Sequence, residues 1–164
     1  MPLILRKIRK SKWYKNLGVP WLKQEDLQAD ALGDLDSKDN KLSVWLIEDN
    51  RSNLERVITA LAAKCDHPTN IDIALLEQNV LDKLDIRWSK TSGDSCDDEI
   101  NKTFHIDLIE LTAAKLLQFA QQIQQKGNKT RFFQKEIIQM LTKGISTGKI
   151  SRDKIKETLL NEIT

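Results

Sequence analysis

The chain has 164 residues, 40% of them hydrophobic and 30% charged, which is typical of a globular protein that buries a core without a disulfide or a structural metal. Its two cysteines, Cys65 and Cys96, form no paired ligand spacing, which argues against a zinc site and favours reduced thiols in the cytoplasm. The longest apolar runs have four residues, too few for a signal peptide or a membrane span, so we expect no membrane partner.

Charge is distributed in blocks along the chain, although the net charge is only +2. Residues 1–23 contain seven Lys or Arg and no acid. Residues 24–100 contain 8 Lys or Arg against 18 Asp or Glu, and residues 101–164 contain 11 against 6. This asymmetry favours either polar partners or contacts between distant parts of the fold.

The first segment with a clear pattern is residues 3–8, LILRKI, which predicts a short strand. Its basic side chains suit the edge of a sheet, where charge discourages aggregation, so we expect an edge strand. Residues 9–41 contain several Gly, Pro and Asn residues and are predicted to be mostly irregular, with a helical turn around 24–32.

Strands and short helices are predicted to alternate over residues 41–99. The continuous apolar run within 41–48 is typical of a strand that is covered on both faces. Ser52 and Glu55 then have capping-box spacing, and the helix that follows carries one apolar stripe and should end near Lys64. The remaining elements predicted here are a strand over 70–76, a helix over 77–84, a strand over 85–89 and a polar loop over 90–99.

The rest of the chain is predicted to be helical. Two adjoining apolar stripes in residues 100–126 predict one long, deeply buried helix, and Gly127 is a typical stop signal for it. A second helix is expected over 131–143, and a last one is expected to begin at Ser151.

Together these elements predict an α+β fold, in which a small mixed β-sheet from the N-terminal half packs against a long helix and two C-terminal helices. We expect a single domain over 1–164, sheet-rich over 1–90 and helical over 97–164. The side chains expected in the core are Trp45, Leu61, Leu108 and Leu116.

No catalytic or metal-binding motif is found in the sequence. Asp98, Asn101 and His105 would share one face of the predicted long helix, but acids in a first turn also stabilise the helix dipole. We interpret His67 and His105 as structural, although the partners of a Ser-His-Asp triad could still meet in the fold. We therefore expect no metal and no cofactor, and the sequence leans towards a protein that is not an enzyme.

Residues 134–154 resemble the first half of the LuxR-type helix-turn-helix. The matching features are Glu136, the pair Ile137 and Ile138, Leu141, the turn Gly144-Ile145-Ser146, and Ile150. The resemblance implies a DNA-reading unit, in which a recognition helix follows and enters the major groove. Because only ten residues follow Lys154, we interpret the segment as a helix, a glycine turn and another helix.

The basic N-terminal segment is the candidate binding surface. Trp13, Tyr14 and Trp21 are interspersed among its cations, and aromatic faces stack on bases while cations neutralise phosphates. The same aromatic residues could instead anchor the packing of the domain. The residues predicted to contact nucleic acid are Arg6, Arg9, Lys10, Lys12, Trp13 and Lys15.

The leading functional hypothesis is a non-enzymatic intracellular module for interaction or regulation, which self-associates or binds a protein partner. The alternative is a nucleic-acid-binding protein that uses the basic N-terminal segment, together with the basic stretch around 126–156. An enzyme with a dispersed and unrecognised site is the third hypothesis.

Overall fold

The structure is a computed structural model that describes residues 1–9, 13, 20–23 and 26–163. Within these residues it contains six strands, seven α-helices and one short 3-10 helix at Arg152–Lys154. The strands are β1 (Leu3–Ile8), β2 (Leu42–Ile47), β3 (Ile71–Glu77), β4 (Arg87–Lys90), β5 (His105–Ile109) and β6 (Lys129–Phe132). The α-helices are α1 (Ala29–Asp34), α2 (Leu54–Ala62), α3 (Asn79–Lys83), α4 (Asp98–Thr103), α5 (Ala113–Gln124), α6 (Gln134–Ser146) and α7 (Glu157–Ile163).

The six described strands form one sheet in the order β4-β5-β2-β1-β3-β6. Every pair of neighbours is antiparallel. The α+β class is therefore confirmed, but the expectation of a mixed sheet is wrong. The sheet also takes β5 and β6 from the second half of the chain, within the region 97–164 that the sequence predicts to be helical.

Strand β1 lies inside the sheet, and the prediction of an edge strand is wrong. It pairs with β2 on one side and with β3 on the other, so both of its edges are used. The basic side chains that favoured an edge have partners within the fold. Arg6 turns towards main-chain carbonyl groups, and Lys7 Nζ lies 3.4 Å from Cys65 Sγ.

Helices cover both faces of the sheet, which gives the molecule two apolar cores. Helices α1, α3 and α5 cover one face, and α2, α4, α6 and α7 cover the other. Alternate residues of each strand therefore enter different cores, as Ile4 and Leu5 of β1 do. Among the described residues no helix has the length and apolarity needed to cross a bilayer.

Most elements predicted for residues 41–99 are confirmed, with bounds shifted by a few residues. They correspond to β2, α2, β3, α3 and β4. The helical turn expected around 24–32 is found at α1, although residues 24 and 25 lie outside the described residues. Trp45 and Leu108 are buried as predicted, whereas Leu61 and Leu116 are only half-buried and pack against the margins of the two cores.

The long helix predicted over 100–126 is wrong. Asp97 caps the short helix α4, and β5 begins soon after that helix ends. Glu110 then takes a φ of 55°, and Thr112 caps α5 by accepting a hydrogen bond from the Lys115 N–H. The two apolar stripes belong to a helix, a strand and a second helix, and neither glycine nor proline marks the breaks between them.

The segment that resembles a helix-turn-helix also differs from its predicted form. Helix α6 continues through Gly144, and the turn is made two residues after the helix ends by Gly148, which has a φ of 68°. Gly144 instead lies in close packing, because a Cβ atom there would lie 3.1 Å from Thr59 Cγ2 of α2.

The acidic middle of the chain and its basic ends meet in the fold. Ion pairs between these blocks are Arg9–Asp34, Arg131–Asp72, Lys143–Glu55, Lys115–Asp85, Lys154–Asp98 and Lys156–Asp66. Most of these pairs are at the surface, where each contributes roughly 0–1 kcal/mol. The uneven charge distribution is therefore accounted for in part by contacts between distant parts of the chain.

Candidate functional site

Arg6, the first residue predicted to contact nucleic acid, points into the fold. Its Nη1 donates a hydrogen bond to the Ser43 carbonyl oxygen at 2.9 Å, and its Nη2 donates one to the Leu35 carbonyl oxygen at 3.1 Å. Burial lowers the pKa of Arg6, while Asp34 and Asp36 act in the opposite direction. The guanidinium group is thus used within the protein, and only its Nε atom has no hydrogen-bond partner.

Asp34 ties the start of the basic segment to α1. Its buried carboxylate accepts hydrogen bonds from Trp13 Nε1 and from the Arg9 main-chain N–H, both at 2.7 Å. The Trp13 side chain is 3% exposed, so its ring packs in the core instead of being offered for stacking. Arg9 remains 80% exposed although its Nε lies 3.5 Å from Asp34.

The structure therefore brings Arg9 and Trp13 to the carboxylate of Asp34, and Arg6 bonds to the carbonyl oxygen of the next residue, Leu35. The other predicted contacts, Lys10, Lys12 and Lys15, lie outside the described residues. The nucleic-acid hypothesis stays a prediction, with Arg9 as the exposed cation among its described residues.

The open edge of the sheet at β4 is the second candidate surface. The alternation of hydrogen-bonded pairs along β5 determines which main-chain groups of β4 point away from the sheet. The Leu46 N–H donates to the Phe104 carbonyl oxygen at 2.7 Å. This pair lies two residues along the same ladder from the Val44–Ile106 pair. Hydrogen-bonded pairs alternate along an antiparallel ladder, so the main-chain groups of Ile106 also face β2. The main-chain groups of the next residue, Asp107, face the other way, towards β4.

Trp88 and Lys90 consequently present their main-chain groups away from the sheet. Asp107 is paired with Ser89, so the N–H and C=O of Ser89 bond to β5. Successive residues of a strand direct their main-chain groups to opposite sides, so the N–H and C=O of Trp88 and Lys90 point outwards. No hydrogen bond to these outward groups is found among the described residues.

The side chains of Trp88 and Lys90 share one face of β4, and both are exposed. Trp88 is 42% exposed, which is unusual for a large aromatic residue. Lys90 makes no ion pair among the described residues. An open groove of about 470 Å³ lies beside Trp88 and is lined by Leu81, Asp82, Asp85, Ile86, Arg87, Trp88, Ile109 and Glu110.

The opposite edge of the sheet, at β6, is occupied by long side chains that turn back to the fold. Lys129 Nζ donates to the Gln124 carbonyl oxygen at 2.8 Å and to the Ile123 carbonyl oxygen at 3.2 Å. Arg131 forms a bidentate ion pair with Asp72 on the neighbouring strand. The two edges therefore differ, since β4 offers an exposed Trp beside a groove and β6 does not.

A buried polar cluster fixes the chain that follows β4. The Thr91 hydroxyl lies 2.9 Å from His105 Nδ1, and the imidazole ring packs edge-on against Trp45 with ring centroids 4.8 Å apart. A Cβ atom at Gly93 would lie 2.5 Å from Trp45 Cη2 and 2.9 Å from His105 Cδ2, so this position requires glycine. Burial lowers the pKa of His105, while Asp107 and Thr91 act in the opposite direction.

Ser43, His105 and Asp107 are the residue types of a catalytic triad, but they are not linked by the hydrogen bonds that a triad requires. His105 Nε2 lies 4.0 Å from Asp107 Oδ1, beyond the reach of a direct hydrogen bond. The Ser43 hydroxyl donates to Asp107 at 2.8 Å and does not contact the imidazole. In this arrangement the polar groups hold the 91–97 loop beside β4.

The predicted metal-ligand face is not formed. Asp98 and Asn101 lie on α4, whereas His105 lies on β5. Asn101 instead organises the loop, because its side-chain amide exchanges hydrogen bonds with the main chain of Ser95 at 2.8 and 2.9 Å. In the described part of the chain, no group of three or more His, Cys, Asp or Glu side chains is placed to hold a metal ion.

A smaller cavity of about 160 Å³ lies between α2 and α6. Two of the cations in its wall are already neutralised. Arg56 is bonded to Asp97 at 2.6 and 3.0 Å, and Lys143 is paired with Glu55 at 2.7 Å. The remaining cation, Lys149, lies at this cavity without a second feature that would select a ligand.

The sequence reasoning predicted the strand at β4 but did not single out Trp88, Ser89 or Lys90. The pattern WSK contains no alternation that distinguishes an edge strand from an interior one. An exposed Trp in a four-residue strand is visible only once its neighbours in the sheet are known.

The bond between Trp13 and Asp34 yields a stability prediction. Replacing Trp13 with Phe removes one of the donors to a buried carboxylate, and a hydrogen bond to a charged group contributes about 1.5–3 kcal/mol. We expect the free energy of unfolding, measured by chemical denaturation, to fall by that amount. Trp21→Phe is the matched control, because Trp21 is 81% exposed and should change stability by less than about 0.5 kcal/mol. Equal effects of the two changes would contradict the anchoring role of Asp34.

The buried position of His105 yields a pH prediction. Its pKa in the folded protein lies below the value of 6.5 for a free imidazole, so the unfolded chain binds a proton at a pH where the folded protein does not. This contribution to stability is present above pH 6.5 and is lost as the pH falls below it. An NMR titration should give a depressed pKa, with His67→Gln assigning the remaining imidazole signal. A value at or above 6.5 would show that burial does not dominate the pKa of His105.

The orientation of β4 yields a prediction about proline. Lys90→Pro removes an N–H that points away from the sheet, so the free energy of unfolding should change by less than about 1 kcal/mol. Ser89→Pro removes an N–H that bonds to β5 and leaves a carbonyl group unpaired, so it should cost about 1–3 kcal/mol. Chemical denaturation of both variants measures the difference. The reverse order of stability would mean that the outward residues have been assigned wrongly.

The chain matches no protein-family model, no curated protein and no solved structure. The functional proposal therefore rests on the geometry of β4.

Proposed function

We propose that this protein is an interaction module that binds an extended segment of a protein partner as an additional strand along β4. The observation that carries the proposal is the outward direction of the main-chain groups of Trp88 and Lys90 at an open sheet edge. An extended peptide that adds a strand satisfies such groups with main-chain hydrogen bonds, which supply affinity without requiring a particular sequence.

The side chains beside β4 supply the selectivity that main-chain bonding lacks. The exposed face of Trp88 provides apolar contact area next to an open groove. Three acids, Asp82, Asp85 and Glu110, line this groove together with one cation, Arg87. Glu110 is paired with Arg87 and Asp85 with Lys115, so Asp82 is the acid of the groove that has no ion pair among the described residues. Asp82 favours a partner strand that places a basic side chain over Trp88, where cation–π attraction adds to the charge complementarity.

Contacts within the fold hold both ends of β4. The hydrogen bond between Thr91 and His105 fixes the end of the strand, and the Arg87–Glu110 ion pair at 3.1 Å spans its beginning. A preformed edge binds with a smaller loss of conformational entropy than a mobile one.

The proposal is tested by selecting binders from a displayed library of random peptides and mapping them by NMR. Selected peptides should slow the hydrogen exchange of the Trp88 and Lys90 amides and leave the exchange of the Ser89 amide unchanged, because only the first two N–H groups point outwards. Lys90→Pro should abolish binding, while Lys90→Ala separates the loss of the N–H from the loss of the charge.

Trp21→Ala is the matched control for an exposed Trp away from the edge, and it should bind the peptides as the parent does. Selected peptides that bind the Lys90→Pro variant with unchanged affinity, or that protect other amides, would overturn the proposal. So would a library that yields no binder to a folded protein.

A further inference from the structure

We infer that the partner strand at β4 is β4 of a second copy of this chain, in an antiparallel register that centres on Ser89. The inference rests on the proposed function, since it requires β4 to accept an added strand, and it names the occupant. Three features of the edge favour a second copy: which main-chain groups are available, which side chains would face each other, and what lies at the symmetry axis.

The available main-chain groups restrict the register. A two-fold axis perpendicular to the sheet pairs β4 with itself in antiparallel fashion, and the outward residues Trp88 and Lys90 must form the hydrogen-bonded pairs. If Trp88 faced Trp88 of the second copy, Lys90 would face Ile86. The Ile86 N–H already donates to the Leu81 carbonyl oxygen at 2.8 Å, so this register leaves an unmatched carbonyl group on Lys90.

The side chains exclude a second register. If Lys90 faced Lys90 of the second copy, two like charges would lie directly opposite each other, which is destabilising in an antiparallel pair. The remaining choice places Trp88 opposite Lys90 of the second copy, and the symmetry repeats the same pair on the other side. Both pairs exchange two N–H···O bonds, and all four outward groups are satisfied.

This register also agrees with the charges around the strand. Trp88 and Lys90 lie on the same face of β4, because they are paired with Leu108 and Ile106, which enter the same core. Lys90 of the second copy would therefore lie beside the Trp88 ring, which lines the same groove as Asp82. Asp82 makes no ion pair among the described residues and is available to it.

The residue at the symmetry axis is small. Ser89 would face Ser89 of the second copy in a pair that is not hydrogen-bonded, where the Cα atoms approach to about 4.5 Å. The half-buried serine leaves room for the approach.

Oligomeric mass and directed cross-linking test the inference together. Light scattering after size exclusion, over roughly 10 µM to 1 mM protein, should show a monomer–dimer equilibrium of the kind expected for a small interface. Trp88→Ala and Lys90→Pro should each raise the dissociation constant by about tenfold or more. Circular dichroism of each variant verifies that it is folded.

The register is tested by replacing Ser89 with Cys in a Cys65→Ser background. Because a disulfide spans Cα distances of about 4.4–6.8 Å, Ser89→Cys should give a covalent dimer under mild oxidation. Arg87→Cys is the matched control, since in this register the two copies of residue 87 are four positions out of line, or roughly 13 Å apart. The Arg87→Cys variant should remain monomeric in non-reducing denaturing gel electrophoresis.

Two outcomes overturn the inference. One is a protein that stays monomeric at every concentration and does not cross-link through Ser89→Cys. The other is a dimer that Trp88→Ala and Lys90→Pro leave unchanged. If the protein is monomeric but selected peptides still protect the Trp88 and Lys90 amides, then the partner is another protein, and the proposed function stands without this inference.

Discussion

Strand β1 connects the two parts of the sheet. On one side it bonds to β2, through which β5 and β4 are attached, and on the other side it bonds to β3, which carries β6. Its residues also enter both cores, so any change that displaces β1 disturbs two apolar layers at once. The half-buried side chain of Arg6 adds a further link, because it joins β1 to the main chain of β2 and to the residue that follows α1.

The contacts around β1 give the basic N-terminal segment a structural role that its composition alone does not indicate. Arg6, Arg9 and Trp13 all meet the region of Asp34, and two of these three side chains are used within the fold. A cluster of cations near aromatic residues is therefore compatible with an internal anchoring role. The cost of burying Asp34 is offset by the Trp13 and Arg9 donors, which in turn fix the path of the chain beyond β1.

Sequence patterns predicted the elements in which the spacing of the apolar side chains matches the faces that are buried. The unbroken apolar run of β2 and the single stripe of α2 are examples, because both faces of a central strand and one face of a helix must be apolar. β5 was missed because it has only five residues, its apolar positions also fit the helical spacing read across 100–126, and no Gly or Pro separates it from the flanking helices. The orientation of Trp88 and Lys90 depends on which pairs of the ladder are hydrogen-bonded, and side-chain sequence does not encode that choice.

The central position of β1 also affects how the chain folds during synthesis. Strand β1 is synthesised before both of the strands that pair with it, and the second of them, β3, is complete only at Glu77. Until then one edge of β1 is unpaired and its apolar residues are uncovered, which exposes the nascent chain to aggregation. A sheet built from such distant pairings forms slowly, because loop closure precedes the contacts that stabilise it. Residues 3–8 are thus a segment at which shielding by a chaperone would act against aggregation.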